Sequence, residues 1–301
     1  NAAQKAVFDG RQLALKISAN SIYGFTGAVK TGTYSCLAIA DTTTWKAREM
    51  LHQTVLWVKE FHPCEVVYGD TDSVMVKFAS KSVESGQKKI GLTIDEAFDL
   101  GDQASVAITR KFSEKYNTDK IILEMEKVYY PWLLMNKKRY AGLMYERAKS
   151  GKVELSYLDA KCIELVRRDN CPFAKRVQQA ILDALMYRMD SNLAVQEFHR
   201  HMKLVVDNQI PPEDFLLSKT RRKNYKSEDL PHIAVVNKMK ARDPGSEPQV
   251  GDRVPFVLIE TSKLDAKTFQ KAEDPVYAER NKLKIDRLYY VEHQVVRPVS
   301  N

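Results

Sequence analysis

Residues 64–78 read CEVVYGDTDSVMVKF. Two β-branched runs flank Gly69-Asp70-Thr71-Asp72, and that layout predicts strand, tight turn, strand. Val66, Val67, Val74 and Val76 are the expected buried side chains of the two arms. Gly69 is the expected site of the bend and leaves room for a ligand. The turn carries two carboxylates one residue apart, Asp70 and Asp72. Like charges this close repel, and low-dielectric surroundings magnify the cost. A divalent cation removes that cost, and Mg²⁺ favours carboxylate oxygens together with water and phosphate. Taken alone, the triplet is also what a plain surface Asx turn looks like. An EF-hand loop is excluded, because Val74 and Met75 stand where a third acidic residue and a glycine belong.

Upstream of the hairpin, residues 4–24 have helical spacing, with Leu13, Ile17 and Ile22 as an apolar stripe. Lys16, Asn20 and Tyr23 recur at i, i+4 and i+7, so they share one face. A cation there suits a triphosphate, and an aromatic ring can stack on a base. A solvated helix face with a buried tyrosine has the same spacing. A second helix is expected over 36–61, closed by Pro63. The run from Gly27 to Thr33 resembles a phosphate loop. It lacks the lysine required after the second glycine and follows a helix, so it is rejected.

Downstream, 94–115 reads as helix and 120–146 as two or three strands. Within the latter lies Lys137-Lys138-Arg139-Tyr140. As a strand it would point its cations to alternate faces, with Lys138 and Tyr140 together. Such a strand suits a duplex groove, and equally an edge guarded by lysines. Arg167-Arg168 is a basic pair at a domain boundary expected near 165. Helical spacing returns at 173–206, 213–218 and 232–241, and a Pro/Gly-rich loop over 242–257 leads into a strand. Arg221-Arg222-Lys223, Arg242 and Arg253 are further candidates for phosphate contact. An α+β fold follows, with an antiparallel core and flanking helices.

Composition sets the class. The chain has 301 residues and 44% hydrophobic content, enough for one to three domains. Lys and Arg outnumber Asp and Glu by 47 to 39, a balance that favours a polyanionic partner without proving one. The four cysteines show no CxxC spacing, which excludes a zinc ribbon and suggests buried reduced thiols. His199 and His201 are read as surface residues. No apolar run is long enough to span a membrane, and no secretion signal opens the chain.

Together, DGRQLALKISANSIYGFTGA, VVYGDTDSVMV, MNKKRYAG and VRRDNCP resemble the B-family replicative DNA polymerases, most of all the delta-type enzymes of eukaryotes and their relatives in large DNA viruses. The resemblance covers most of the chain in the family's order. It implies an antiparallel-sheet palm over 31–165, part of helical fingers over 1–30 and a mostly helical thumb over 166–301. It implies template-directed nucleotidyl transfer, with Asp72 as a ligand of two Mg²⁺ ions (Mn²⁺ substituting) and Asp70 as the supporting carboxylate. Lys16 would bind the incoming triphosphate, with Asn20 and Tyr23 shaping the base-pair pocket. Lys138 and Tyr140 would touch the minor groove, supported by Lys137 and Arg139, and Arg167 and Arg168 would meet the duplex. Primer–template DNA and deoxynucleoside triphosphates are the implied partners, a sliding clamp and accessory subunits further candidates. The nucleus or a viral replication site is the implied location. The family's upstream catalytic aspartate, exonuclease domain and C-terminal cysteine-rich module have no counterpart here, so residues 1–301 alone are expected to be inactive. A non-catalytic nucleic-acid module and another two-metal enzyme are the rivals, and neither explains the Lys16/Asn20/Tyr23 face.

Overall fold

The computed structural model describes residues 2–29, 32–79, 92–148, 150–263 and 265–299. The chain divides into two compact units, Asn1–Glu126 and Lys127–Asn301. Lys30 and Thr31, which fall in the rejected phosphate-loop segment and at the expected 30/31 domain boundary, lie outside the described residues. No described helix is long and apolar enough to cross a membrane.

The first unit holds α1 (Ala2–Gly27), α2 (Leu37–Phe61), an antiparallel hairpin of β1 (Cys64–Asp70) and β2 (Ser73–Phe78), and α3 (Ile94–Tyr116). A capping box starts α3: Glu96 N–H donates to the Thr93 hydroxyl at 3.2 Å, and Thr93 N–H to the Glu96 carboxylate at 2.9 Å. Asn117, at φ 48°, ends it in the left-handed region that asparagine tolerates. The core joins Val58 of α2 to Ala104, Ile108 and Phe112 of α3, with Val66 and Val76 of the hairpin pressed against it. Val67 and Val74 are half-buried and lie outside that cluster, so only one valine of each arm anchors the turn. The expected apolar stripe of α1 is not buried: Leu13, Ile17 and Ile22 are 57%, 56% and 71% exposed.

The second unit begins with a three-stranded antiparallel sheet in the order β3 (Val128–Asn136), β4 (Arg139–Arg147), β5 (Val153–Lys161). Two of these strands fall in the expected 120–146 stretch. Gly142 in β4 sits opposite Trp132, where an added Cβ would come within 2.8 Å of the indole ring. Two helices follow, α4 (Pro172–Met186) and α5 (Ser191–Val206). The segment expected as helix at 213–218 is a 3₁₀ turn at Pro212–Phe215 running into β6 (Leu217–Thr220). The cause is non-local, since Leu217 pairs with Phe256 of β7 (Arg253–Leu258). Helix α6 (Pro231–Arg242) and the short β8 (Ala272–Glu273) complete the second sheet's surroundings, in the order β6-β7-β8.

Helix α4 serves two cores. Leu182 and Met186 meet Ala141 and Leu143 of the first sheet. Phe173, Ala174 and Val177 meet Phe215, Val235, Val254, Phe256 and Tyr290 in a larger cluster. His201 also belongs to this interior: it is 5% exposed and its Nδ1 lies 2.8 Å from the Glu197 carbonyl. The surface assignment therefore holds for His199 and fails for His201, because α5 turns His201 toward Phe173. Cys171 is buried as expected, whereas Cys36 and Cys162 are exposed.

Phe215 is fully buried and packs its ring 4.9 Å from Tyr290 and 5.7 Å from Phe173. Phe215→Ala removes that contact at the meeting point of three elements, and chemical denaturation is expected to show a loss of about 3–5 kcal/mol. A loss below about 1 kcal/mol would mean the site collapses freely around the gap.

Candidate functional site

The hairpin loop is Thr71-Asp72, with Asp70 paired to Ser73. The bend falls at Thr71, at φ 55°, and not at Gly69, which lies within β1. Asp72 N–H donates to the Asp70 carbonyl at 2.6 Å, closing a γ-turn about a left-handed centre. The Thr71 hydroxyl lies 3.2 Å from the Asp70 carboxylate, and the Ser73 hydroxyl donates to the Asp70 carbonyl at 3.1 Å. A Cβ on Gly69 would meet only the Ser73 carbonyl, at 3.4 Å, so this side of the turn is open. One extra residue between Val66 and Tyr68 bulges β1, a device common beside sites because it re-aims the side chains that follow. Asp72 is exposed and Asp70 half-buried at the end of its strand.

Lys16, Asn20 and Tyr23 lie on one exposed face of α1. The structure puts this face and the carboxylate turn in the same unit: α1 packs on α2, and the hairpin packs on α2 and on the core of α3. No ion pair joins Lys16 to Asp72.

In the second unit, Lys137 and Lys138 form the two-residue turn between β3 and β4 rather than part of a strand. Lys138 takes φ 64°, and the Asn136 side chain accepts from Lys137 N–H at 2.7 Å. The alternate-face reading is thus corrected: both lysines project from a turn, and only Arg139 and Tyr140 lie on β4. Arg139 is occupied, its Nη2 donating to both oxygens of Glu164 at 2.6 and 2.7 Å. Tyr140 sits edge-on to Tyr129 at 6.0 Å and 5.6 Å from Trp132. Tyr129 donates to Asp159 at 2.6 Å, and burial followed by that bond pushes its phenol far above the usual range. Lys161 lies 2.9 Å from the same carboxylate, which raises the ammonium pKa.

Arg167 is forked onto Asp169 at 2.9 and 3.1 Å, so its guanidinium is satisfied within the junction. Arg168 is exposed, and its carbonyl accepts from Arg253 at 3.0 Å. Arg242 is forked onto buried Glu273 at 2.8 and 2.9 Å and stacks 3.4 Å over Tyr277. Arg242 and Arg253 thus each carry structural contacts, and both remain exposed. Arg221 donates to the Pro248 carbonyl, leaving Arg222 and Lys223 exposed on the same loop.

Sequence reasoning missed the groups that hold these cations in place. Glu164 and Asp159 stand in YLDAKCIE, where a carboxylate among apolar residues was the available signal. His232 and Tyr225 gave none, being brought together by the fold: His232 Nε2 lies 3.0 Å from the Tyr225 hydroxyl, which also accepts from Arg222 N–H. His232 is 4% exposed, and burial, then Lys219 and Arg222, hold its pKa below the usual 6.5.

The family model for DNA polymerase family B matches residues 1–301. The DNA polymerase delta catalytic subunit of Candida albicans is 40% identical over 305 residues, covering 99% of this chain and 27% of that protein. A DNA polymerase of Paramecium bursaria Chlorella virus NY2A is 40% identical over 301 residues, covering 99% of this chain and 31% of that one. The solved family B DNA polymerase of the archaeon Pyrobaculum calidifontis aligns with a TM-score of 0.56 at 26% identity, over 96% of this chain and 33% of its own. The chain spans about a quarter to a third of the length of these proteins.

The His232 contact gives the basic loop a pH dependence. Unfolded, His232 takes up a proton near pH 6.5; folded, it resists until lower pH. Its contribution is complete above that value and lost as pH falls through the folded pKa. Denaturant titrations at pH 7 and 5.5 are expected to show lower stability at the acid value, and His232→Asn to flatten the difference. An unaltered difference in the variant would assign the titration to another group.

Proposed function

Because this chain belongs to DNA polymerase family B, we propose that the protein it comes from is a DNA-directed DNA polymerase of replication, extending a primer 3′-hydroxyl from deoxynucleoside triphosphates. The observation that carries the reading is the Asp70-Thr71-Asp72 turn, two carboxylates held together at an open hairpin tip in the unit that also presents Lys16, Asn20 and Tyr23. In domain terms, 1–30 are part of the fingers, 31–165 the palm and 166–301 the thumb.

Enzymes of this family generally depend on divalent metals. The donor chemistry of the turn suits Mg²⁺, which takes one or two carboxylates and completes its shell with water and phosphate. Among the described residues, no third acidic, histidine or cysteine side chain joins them in a metal-holding group. Asp72, exposed at the tip, is the direct ligand, and Asp70, braced by the Thr71 hydroxyl, is its support. When bound, the ions stabilise charge on the attacking and leaving oxygens.

The remaining work falls to side chains. Lys16 supplies fixed positive charge to a triphosphate as negative charge moves onto pyrophosphate. Asn20 and Tyr23, one and two turns along the same face, set the shape of the pocket for the new pair. Lys137 and Lys138 reach from their turn to the duplex with Tyr140 behind them, and Arg168 adds a cation at the junction. Arg139 and Arg167, each held by a neighbouring carboxylate, support these contacts. Such contacts are blind to sequence, as copying demands, because the minor groove presents similar acceptors for every pair. A sliding clamp and accessory subunits are further partners, and the nucleus or a viral replication site is the place of action.

In the intact polymerase, Asp72→Ala is expected to abolish primer extension while primer–template binding survives; near-normal turnover would end the metal-ligand assignment. Lys16→Ala is expected to lower the efficiency of triphosphate use by about 10²-fold or more. Unchanged kcat and KM for the nucleotide would remove Lys16 from the site.

A further inference from the structure

Glu164 has no part in the chemistry above, yet it is only 9% exposed and bonded on every side. Its carboxylate accepts from Arg139 at 2.6 and 2.7 Å and from Gln178 of α4 at 3.2 Å. Its carbonyl accepts from the Asn170 side chain at 3.1 Å and from Arg167 N–H at 3.3 Å. One residue thus joins the first position of β4, the junction that bears Arg168, and the helix shared by both cores.

Arg139 directly follows the Lys137-Lys138 turn. The other end of that turn is fixed by Asn136, whose side chain receives Lys137 N–H. A two-residue turn has no slack, so the orientation of Arg139 sets where the two lysine side chains start. Arg168 is fixed from the opposite side through the Arg253 bond to its carbonyl. Lysine ammonium groups on flexible stems find a phosphate efficiently only when their backbone is held.

We propose that Glu164 is a positioning residue: through Arg139 and the junction it holds the Lys137-Lys138 turn and Arg168 in one register along the DNA backbone. This rests on the reading that these three cations meet DNA.

The test measures primer–template affinity of the intact polymerase across a salt series, with steady-state kinetics beside it. Glu164→Gln keeps shape and removes charge. At roughly 0.1 M salt it is expected to weaken binding about tenfold and to lower the slope of log affinity against log salt by about 0.9, the value of one phosphate contact. The kcat at saturating DNA stays within about twofold, because the reacting groups are untouched. Added to a Lys137→Ala/Lys138→Ala/Arg168→Ala background, Glu164→Gln costs less than about a further twofold, since the contacts it supports are already gone. Gln178→Met cuts one of the same bonds with little change of volume and shifts affinity the same way by a smaller factor, which keeps the test open should Glu164→Gln fold poorly. Lower thermal stability in both variants with affinity and slope unchanged would make Glu164 purely structural and overturn the proposal. Full multiplication of the three-cation and Glu164 effects would overturn it as well. If the lysine pair and Arg168→Ala themselves leave affinity and slope unchanged, the DNA-contact reading fails first, and the proposal with it.

Discussion

A threonine at φ 55° is an unfavourable thing to fold. Its branched Cβ crowds the backbone, and a residue held there costs about 1–3 kcal/mol. At Thr71 that cost is offset by its surroundings: Asp70 pairs with Ser73 across the loop, and Val66 and Val76 press the arms onto α2 and α3. The conformation keeps Asp70 and Asp72 on either side of one tight bend, with no freedom to relax apart. A glycine at the bend would make the turn easier to form and easier to open. Gly69 lies instead one residue before the pair, where its missing side chain leaves the approach clear.

In the second unit, several arginines are held by carboxylates, while the lysines of two turns stand at the surface. The guanidinium fork matches a carboxylate in two directions, and Arg167 on Asp169 and Arg242 on Glu273 are spent that way, while Arg139 gives Glu164 two bonds from one nitrogen. Arg253 is spent on carbonyl and hydroxyl oxygens. Lys137, Lys138 and Lys223 stand exposed on turns, where a compact, well-hydrated charge can follow a backbone of phosphates. Net positive charge alone does not distinguish the two groups. Their place in the fold does, and that is set by tertiary packing.

That division explains what the sequence revealed and what it hid. The hairpin was legible because valines on both sides of a turn signal strands at short range, and the helices at 94–116 and 172–206 because capping and apolar spacing are local. The bend's position was misread because glycine is the usual carrier of positive φ, and only the ladder register forces Thr71 into that role. The 217–220 strand was hidden because its partner lies in β7, far along the chain. The basic motif was legible as a cluster, but the run of cations gave no sign that two would form a turn and the third a half-buried ion pair. The α1 apolar residues have helical spacing and are exposed within this unit, so periodicity identified the element correctly and its burial wrongly.

The choice of an ion pair at Glu164 has its own logic. An apolar pair of similar volume would hold β4 and α4 together at least as tightly, because desolvating two charges consumes much of their attraction. Apolar contacts, however, slide: side chains of similar shape accept small rotations at little cost. Two short bonds from one guanidinium to one carboxylate accept far less, Gln178 fixes the carboxylate's own orientation, and Asn170 holds the backbone carbonyl of the same residue. Burial strengthens these bonds as it raises the penalty for breaking them. The arrangement therefore contributes little to stability and much to geometry. That is the useful balance where a two-residue turn has to keep its place on a long, uniform ligand while the ligand moves past it.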